Sequence, residues 1–196
     1  AFSKWQRGEL DDDDGRRTKH ADVIDMLPDS SFPALYFIFS RKMVEKLASA
    51  LARGKLGHRL GKLAKRDAIE KRIEQFEDKH PDVLTQSAKI MLRKGIGFHH
   101  AGVHVSLKAF VEKLYEERLL NVLYCTSTFA LGINMPARTV IFDSLTKYNG
   151  EEIAPLKIRE FMQMAGRAGR RGIDKEGDVV IRQNFDDFEE SRPLLH

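Results

Sequence analysis

Short apolar runs alternate with amphipathic segments over most of the chain. Residues 34–39 form a continuous apolar run that follows Pro33 and is rich in aromatic side chains. Such a run is too short for a free-standing helix and is typical of a strand buried on both faces of a parallel sheet. The same pattern predicts further strands at 121–125, 139–142 and 177–182, and a short one at the start of 95–102.

Amphipathic helices are predicted between these strands. Ser40 is suited to cap a helix, and the apolar residues that follow it form one helical stripe: Met43, Val44, Leu47 and Leu51. In the clearest helix of the chain the inward-facing side chains are Leu107, Phe110, Val111, Leu114 and Tyr115, at the spacing of a buried helix face. Strands that alternate with helices predict an α/β fold with a mostly parallel sheet.

Two segments depart from this alternation. Residues 53–66 contain six Lys or Arg and no acid, and helical spacing continues to about residue 80, which predicts a charged helical arm. The arm either packs on its own domain or contacts nucleic acid or a neighbouring domain. Asn149-Gly150 favours a tight β-hairpin turn, with arms near 141–146 and 151–157.

Bulk properties limit the classes of protein to consider. A chain of 196 residues with 42% hydrophobic residues can form one ordinary domain. The single cysteine, Cys125, excludes an internal disulfide framework and indicates a reducing, intracellular location, in the simplest case the cytoplasm. No apolar run approaches the roughly 20 residues needed to span a bilayer, so no membrane contact is expected. The net charge of +4 is mild and by itself identifies no partner.

The densest cluster of candidate chemistry is the run of glycines and arginines at residues 163–172. A helix over 159–168 would place Arg167 and Arg170 about one turn apart on one face. Guanidinium groups keep their proton and match phosphate oxygens, so the pair suits a triphosphate; the alternative is a solvated basic turn. Hydroxyls at 126–128 follow a predicted strand, at the sheet edge where α/β proteins bind ligands, although a plain helix cap explains them as well.

Two adjacent histidines, His99 and His100, lie in a polar turn that ends at Gly102, with His104 nearby. A zinc site would need a cysteine or an acid to complete it, and none is suitably placed. A backbone turn that packs near a phosphate chain is therefore the better interpretation, and no metal ligand is predicted.

Several separated stretches resemble the second RecA-like domain of superfamily-2 DExH-box helicases, in the branch of the superkiller and exosome-assisting RNA helicases. Residues 37–41 are similar to motif IV, residues 97–102 to that branch's Phe-His-His-Ala-Gly turn, residues 126–137 to motif V and residues 163–170 to motif VI. Their order and spacing fit over about residues 30–183. The resemblance implies a three-layer α/β/α RecA-like fold with an inserted helical arm and a β-hairpin.

The resemblance also implies a role for individual residues. Arg167 and Arg170 would be arginine fingers, and Gln163 would contact nucleotide phosphates or the catalytic water. Gly132 and Asn134 would lie near the nucleotide ribose. The residues that would hold the sugar-phosphate backbone are Ser40, Arg41, His100, Gly102, Thr126 and Thr128. Tyr148 would belong to a strand-separating hairpin.

The sequence contains neither a Gly-x-x-x-x-Gly-Lys-Ser/Thr phosphate loop nor an Asp-Glu-x-His after a strand. In the family these elements bind ATP and Mg²⁺ and belong to the first RecA-like domain, so an upstream domain of the same polypeptide is the expected partner. This chain alone should be inactive, because its arginines stabilise charge only on a nucleotide bound opposite them.

The expected organisation is an N-terminal extension at residues 1–31, a RecA-like domain at 32–185 with its helical insertion at 53–94, and a tail at 186–196. The expected function is the C-terminal motor domain of an ATP-dependent RNA helicase that binds single-stranded or tailed RNA. The alternatives are the equivalent domain of a DNA-unwinding repair helicase and a non-catalytic module that binds nucleic acid or a protein partner.

Overall fold

A computed structural model describes residues 19–132 and 135–182 of the chain. Its strands are β1 (Ala34–Phe37), β2 (Ile96–His99), β3 (Val122–Cys125), β4 (Thr139–Phe142), β5 (Thr146–Tyr148), β6 (Ile153–Pro155) and β7 (Asp178–Ile181). Five of them form one parallel sheet in the order β2-β3-β1-β4-β7, and β5 and β6 form a separate antiparallel pair. The predicted α/β fold with a mostly parallel sheet is confirmed.

Helices occupy the connections between the parallel strands. They are α1 (His20–Met26), α2 (Arg41–Arg53), α3 (Lys55–Leu63), α4 (Arg66–Glu77), α5 (Gln86–Arg93), α6 (Val105–Glu116), α7 (Ser127–Gly132) and α8 (Ile158–Ala165), with a 3₁₀ turn at Asp29–Ser31. The two predicted amphipathic stripes bury their apolar faces on α2 and α6. No helix in this part of the chain is both long and apolar enough to cross a membrane.

The central strands are buried on both faces, as their uninterrupted apolar sequences predict. All side chains of β1 and β3 are fully buried, and the two strands align Ala34 with Val122. The rings of Tyr36 and Tyr124 stack at 5.1 Å between centroids, on neighbouring strands. Burial of each aromatic side chain contributes about 1.5–3 kcal/mol to the stability of the fold. A shift in the pairing of β1 with β3 would lose this contribution, so burial favours the observed register.

The charged arm packs on its own domain. Leu60 of α3 and Ile69, Ile73 and Phe76 of α4 are buried in the core, so the arm's apolar stripe faces inward and its lysines face solvent. The Arg93 guanidinium of α5 donates two hydrogen bonds to the Glu70 carboxylate of α4, at 2.6 and 2.7 Å. The arm therefore packs on its own domain; its contact with nucleic acid or a neighbouring domain stays a prediction.

Two short helices lie outside the amphipathic stripes named above. Helix α5 begins at Gln86, where the Thr85 hydroxyl caps it by accepting the Ala88 N–H at 3.1 Å, and residue 82 turns the chain before it with a φ of 65°. Helix α1 precedes the first strand, and its Ile24 side chain is completely buried.

Candidate nucleotide and nucleic-acid interface

The carboxyl ends of the five parallel strands meet at one edge of the sheet. The loops after three neighbouring strands carry most of the predicted backbone-binding residues: Ser40 and Arg41 after β1, His100 and Gly102 after β2, and Thr126 after β3. Hydrogen bonds continue the ladder beyond the strands, from Ile38 N–H to the Cys125 carbonyl and from Thr126 N–H to the His99 carbonyl. Because neighbouring strands lie about 4.8 Å apart, the structure brings these loops side by side.

Arg41 and Gly102 are neighbours at this edge. A Cβ placed on Gly102 would lie 3.8 Å from Cδ of Arg41, and both residues are exposed. The Ser40 hydroxyl accepts the Met43 N–H at 3.4 Å and caps α2, so it holds the helix end that presents Arg41. The exposed Arg41 guanidinium suits a phosphate group, and Gly102 beside it has no side chain to block the approach of one.

The His100 side chain lies inside the protein. Its Nδ1 accepts the Gly102 N–H at 3.1 Å, which makes Nε2 the protonated nitrogen, and Nε2 lies 2.7 Å from a carboxylate oxygen of Glu45 on α2. His100 is only 5% exposed, so both ring nitrogens are engaged within the chain. Its hydrogen bonds hold the Gly102 turn against α2; a direct contact of His100 with the sugar-phosphate backbone stays a prediction. Glu45 belongs to none of the motifs, and only its spatial proximity identifies it.

His99 faces the other side of the same turn. Its Nε2 lies 2.7 Å from a Glu112 carboxylate oxygen, and its ring packs edge-on against Phe129 at 4.9 Å between centroids. Burial lowers the pKa of His99. In the described residues no group of three or more His, Cys, Asp or Glu could hold a metal ion.

The hydroxyls after β3 are paired with each other. Oγ1 of Thr126 lies 2.9 Å from Oγ1 of Thr128; Thr126 is buried and Thr128 is exposed. The pair sits at the start of α7, which ends at Gly132. The predicted ribose-side residue Asn134 lies outside the described residues.

The sequence analysis considered a helix over residues 159–168 that would carry the arginines. In the structure the helix ends before both arginines. Helix α8 ends at Ala165, and the chain then turns so that Ala168 makes a parallel bridge with Ala137. In this bridge the Ala137 N–H donates to the Arg167 carbonyl at 2.9 Å and the Gly169 N–H donates to the Ala137 carbonyl at 2.8 Å. Both arginines therefore follow the helix. Gln163 remains on α8, exposed to solvent.

Close backbone contacts fix the path of the chain after the helix. Gly169 has a φ of 86°, which favours glycine, and its backbone lies against that of Gly177. A Cβ on Gly177 would be 2.3 Å from the Ala168 carbonyl carbon and from the Gly169 nitrogen. We refer to residues 166–170, which follow α8 and carry both arginines, as the arginine turn. The chain before β7 fits against this turn only because residue 177 has no side chain.

Arg170 is held by a carboxylate four residues further on. Its Nε and Nη2 each donate to an oxygen of Asp174 at 2.7 Å, and its backbone N–H donates to the same carboxylate at 3.0 Å. The Asp174 side chain is 8% exposed. This two-pronged geometry is the one by which arginine also grips phosphate, and it leaves the Nη1 amino group for a second acceptor. The sequence analysis did not consider Asp174.

The Asp174 carboxyl provides a direct solution test of this ion pair. The hydrogen bonds from Arg170 lower its pKa from 3.8 to about 2, so the pair contributes stability that is present above pH 4 and is lost as pH falls through about 2. Carbon-detected NMR titration should show this low pKa, and Arg170→Ala should return it towards 3.8. A carboxyl that titrates normally in the wild-type chain would contradict the ion pair.

The predicted hairpin is present but shorter than expected. Its arms are β5 and β6, whereas Ile141 belongs to β4 of the main sheet. The Asn149 side chain closes the loop by accepting the N–H groups of Glu151 and Glu152 at 2.9 and 3.0 Å. Tyr148, 43% exposed, donates its hydroxyl to the Gly150 carbonyl at 2.6 Å. An asparagine-capped loop of residues 149–152 thus replaces the two-residue turn.

Comparison with known proteins agrees with this architecture. Residues 83–172 match the model of the helicase conserved C-terminal domain. The chain is 41% identical over 155 residues to the DExH-box ATP-dependent RNA helicase DExH11 of Arabidopsis thaliana, an alignment that covers 78% of this chain and 11% of that protein.

Two mouse proteins are similar over comparable lengths. Superkiller complex protein 2 of Mus musculus is 40% identical over 155 residues, covering 78% of this chain and 12% of that protein. The exosome RNA helicase MTR4 of Mus musculus is 37% identical over 169 residues, covering 81% of this chain and 16% of that protein. The chain therefore spans only a small part of the length of these relatives. By its sequence it belongs to the helicase C-terminal domains of the DExH-box family, in the branch of the superkiller and exosome RNA helicases.

Proposed function

We propose that this chain is the C-terminal motor domain of an ATP-dependent RNA helicase and acts opposite an ATP-binding RecA-like domain of the same polypeptide. The observation that carries the proposal is the arginine turn. Arg170 is oriented by Asp174, and the backbone of Arg167 is bonded to Ala137, beyond α7. The Arg170 guanidinium is thereby oriented by an ion pair, and the backbone of Arg167 is fixed next to it by the bridge to Ala137.

The donor set fits a nucleotide phosphate. Arg170 binds a carboxylate with the geometry that also suits a phosphate, and its Nη1 remains for another acceptor. In the proposed role Arg167 and Arg170 stabilise negative charge on the transferring phosphoryl group, and Gln163 orients the groups around it. ATP and Mg²⁺, held mainly by the first RecA-like domain, supply the phosphoanhydride bond and the cation that neutralises its oxygens.

The sheet edge would bind the nucleic-acid strand through its sugar-phosphate backbone. Arg41 supplies an exposed donor beside the Gly102 turn, and the Thr126 and Thr128 hydroxyls lie on the next loop. Gly132 and Asn134 would connect this edge to the ribose of the nucleotide. Backbone contacts carry no sequence information, so binding should be nearly independent of sequence and should weaken as salt rises.

RNA is the proposed substrate because the relatives named above are RNA helicases. A DNA-unwinding repair helicase remains the second candidate, since backbone contacts alone do not distinguish the two polymers. We also propose the division into an extension at 1–31, the RecA-like domain at 32–185 and a tail at 186–196, and an intracellular, cytoplasmic location.

The test is ATP turnover by a protein that joins this chain to its upstream RecA-like domain, titrated first with single-stranded RNA and then with DNA. We expect stimulation by RNA and negligible turnover by the 196-residue chain alone. Stimulation by DNA only would favour the repair-type candidate. A folded two-domain protein that binds strands without turnover would instead make the chain a binding module.

Replacing Tyr148 and Asn149 by glycines should impair unwinding more than ATP hydrolysis in the two-domain protein. The change removes the Asn149 cap of the hairpin loop but leaves the arginine turn untouched. The two rates are measured on the same tailed duplex, with Lys147 retained because it pairs with Glu160 of α8 at 2.5 Å. Equal loss of unwinding and hydrolysis would contradict a strand-separating role for the hairpin.

A further inference from the structure

A groove with an apolar lining and basic rims lies between α4 and α6, outside the proposed strand and nucleotide sites. Phe76, Phe110 and Val105 contribute apolar surface, Arg72, Lys79 and Lys113 stand along the rims, and the volume is about 420 Å³. In the described part of the chain no carboxylate lines this groove. We refer to it as the α4–α6 groove.

The α4–α6 groove is preformed. The rings of Phe76 and Phe110 stack at 4.3 Å between centroids, which fixes the two helices against each other. The Arg72 guanidinium is held by Glu117 at 2.8 Å and by the Gln75 side chain at 2.9 Å. A ligand would therefore meet a cavity whose walls are already ordered, which lowers the entropic cost of binding.

The chemistry of the α4–α6 groove favours a ligand that is both apolar and acidic. Val105 is 69% exposed, so an apolar side chain that entered the groove would cover surface now in contact with water. Lys79 and Lys113 are exposed, and no described acidic residue pairs with either. Carboxylates on both sides of an inserted apolar residue would complement these two cations.

The exposed surface argues for a peptide rather than for a nucleic-acid strand. Bases bind single-strand proteins by stacking on the faces of exposed aromatic rings. Phe76 and Phe110 are each only 8% exposed, and their rings stack on each other, so neither ring presents an open face to a base. A volume of about 420 Å³ lies within the range for a small organic ligand or a single large side chain.

We propose that the α4–α6 groove is a docking site for an acidic peptide segment of a protein partner, which inserts one large apolar side chain between Phe76 and Val105 and pairs its carboxylates with Lys79 and Lys113. The site does not depend on the proposed helicase function, because none of its residues belongs to the sheet edge or to the arginine turn. It gives the domain a second surface, used for recruitment rather than for catalysis.

The probe is a fluorescent peptide of sequence Asp-Glu-Asp-Phe-Glu-Asp, and its binding to the 196-residue chain is measured by fluorescence anisotropy. Lys79→Glu with Lys113→Glu should weaken binding by about tenfold or more, since two favourable ion pairs become repulsive. Ala109→Trp, which fills the α4–α6 groove without altering its charge, should weaken binding to a similar extent. A peptide with Ser in place of Phe should bind less tightly.

The matched control is Lys55→Glu with Lys62→Glu, which makes the same charge change at exposed positions on α3, outside the two helices of the α4–α6 groove. It should leave peptide binding within about twofold, and neither double variant should alter binding of a single-stranded RNA. Equal weakening of peptide binding by both doubles, or no peptide binding by the wild type, would overturn the proposal. Loss of RNA binding only in the Lys79 and Lys113 variant would assign the groove to nucleic acid instead.

Discussion

Replacing Arg170 by alanine is expected to lower ATP turnover by about a thousandfold or more in a protein that joins this chain to its first RecA-like domain, because an arginine finger contributes about 10³–10⁵ to kcat. Strand binding should stay within about twofold, since Arg170 lies on the arginine turn, away from Arg41 and Gly102. Steady-state ATP hydrolysis and RNA binding by anisotropy measure the two effects on the same preparation.

Arg171→Ala is the control, because it removes the same charge from the adjacent, exposed position. Arg171 should tolerate the change with less than about a tenfold loss of turnover. Asp174→Asn gives an intermediate test: it retains an oxygen for Arg170 but removes the charge of the carboxylate that orients it. If Arg170→Ala abolishes RNA binding as fully as hydrolysis, or if Arg171→Ala is equally damaging, the role assigned to Arg170 is wrong.

Gly177→Ala is expected to destabilise the chain by about 2–3 kcal/mol, which corresponds to a fall in Tm of roughly 4–12 °C for a domain of this size. Its Cβ would lie 2.3 Å from backbone atoms of Ala168 and Gly169, and backbone cannot move aside as the end of a flexible side chain can. The segment before β7 must separate from the arginine turn, so ATP turnover by the two-domain protein should fall as well.

Gly61→Ala is the matched control for Gly177→Ala. It adds the same methyl group within α3, where the nearest neighbour is the Lys94 side chain at 3.5 Å, and alanine favours a helix over glycine by about 1 kcal/mol. Thermal unfolding followed by circular dichroism should show an unchanged or raised Tm. A Gly177→Ala chain as stable as the wild type would show that the close approach between Gly177 and the arginine turn does not exist.

The parallel sheet could be predicted because its signal is local. The strands β1 and β3 are apolar runs, and β4 is apolar after Thr139; burial on both faces imposes that pattern wherever the strand lies in the sheet. The loops at the carboxyl edge could be predicted for the same reason, since parallel strands place their ends together. Strand order does not by itself place Arg41 beside Gly102, because β3 lies between β1 and β2 in the sheet.

The arginine turn could not be predicted in the same way. Gly166 directly follows the last helical residue and disfavours helix, but the turn beyond it depends on a bridge to Ala137 and on the close approach of Gly177, both outside residues 159–168. Glu45 was missed because its partner, His100, is 55 residues away. Asp174 had a usable signal, an acid four residues after Arg170, which is the spacing of a local ion pair.

The bridge between Ala137 and Ala168 is made entirely by peptide groups. Glycine or alanine at position 137 offers the same N–H and carbonyl, so the polar part of the link between the segment after α7 and the arginine turn does not depend on a side chain. Alanine scanning would pass over it without a signal. An edit to the main chain, such as Ala137→Pro or a backbone ester, would remove its hydrogen bond, whereas a larger side chain would act through overpacking because Ala137 is completely buried.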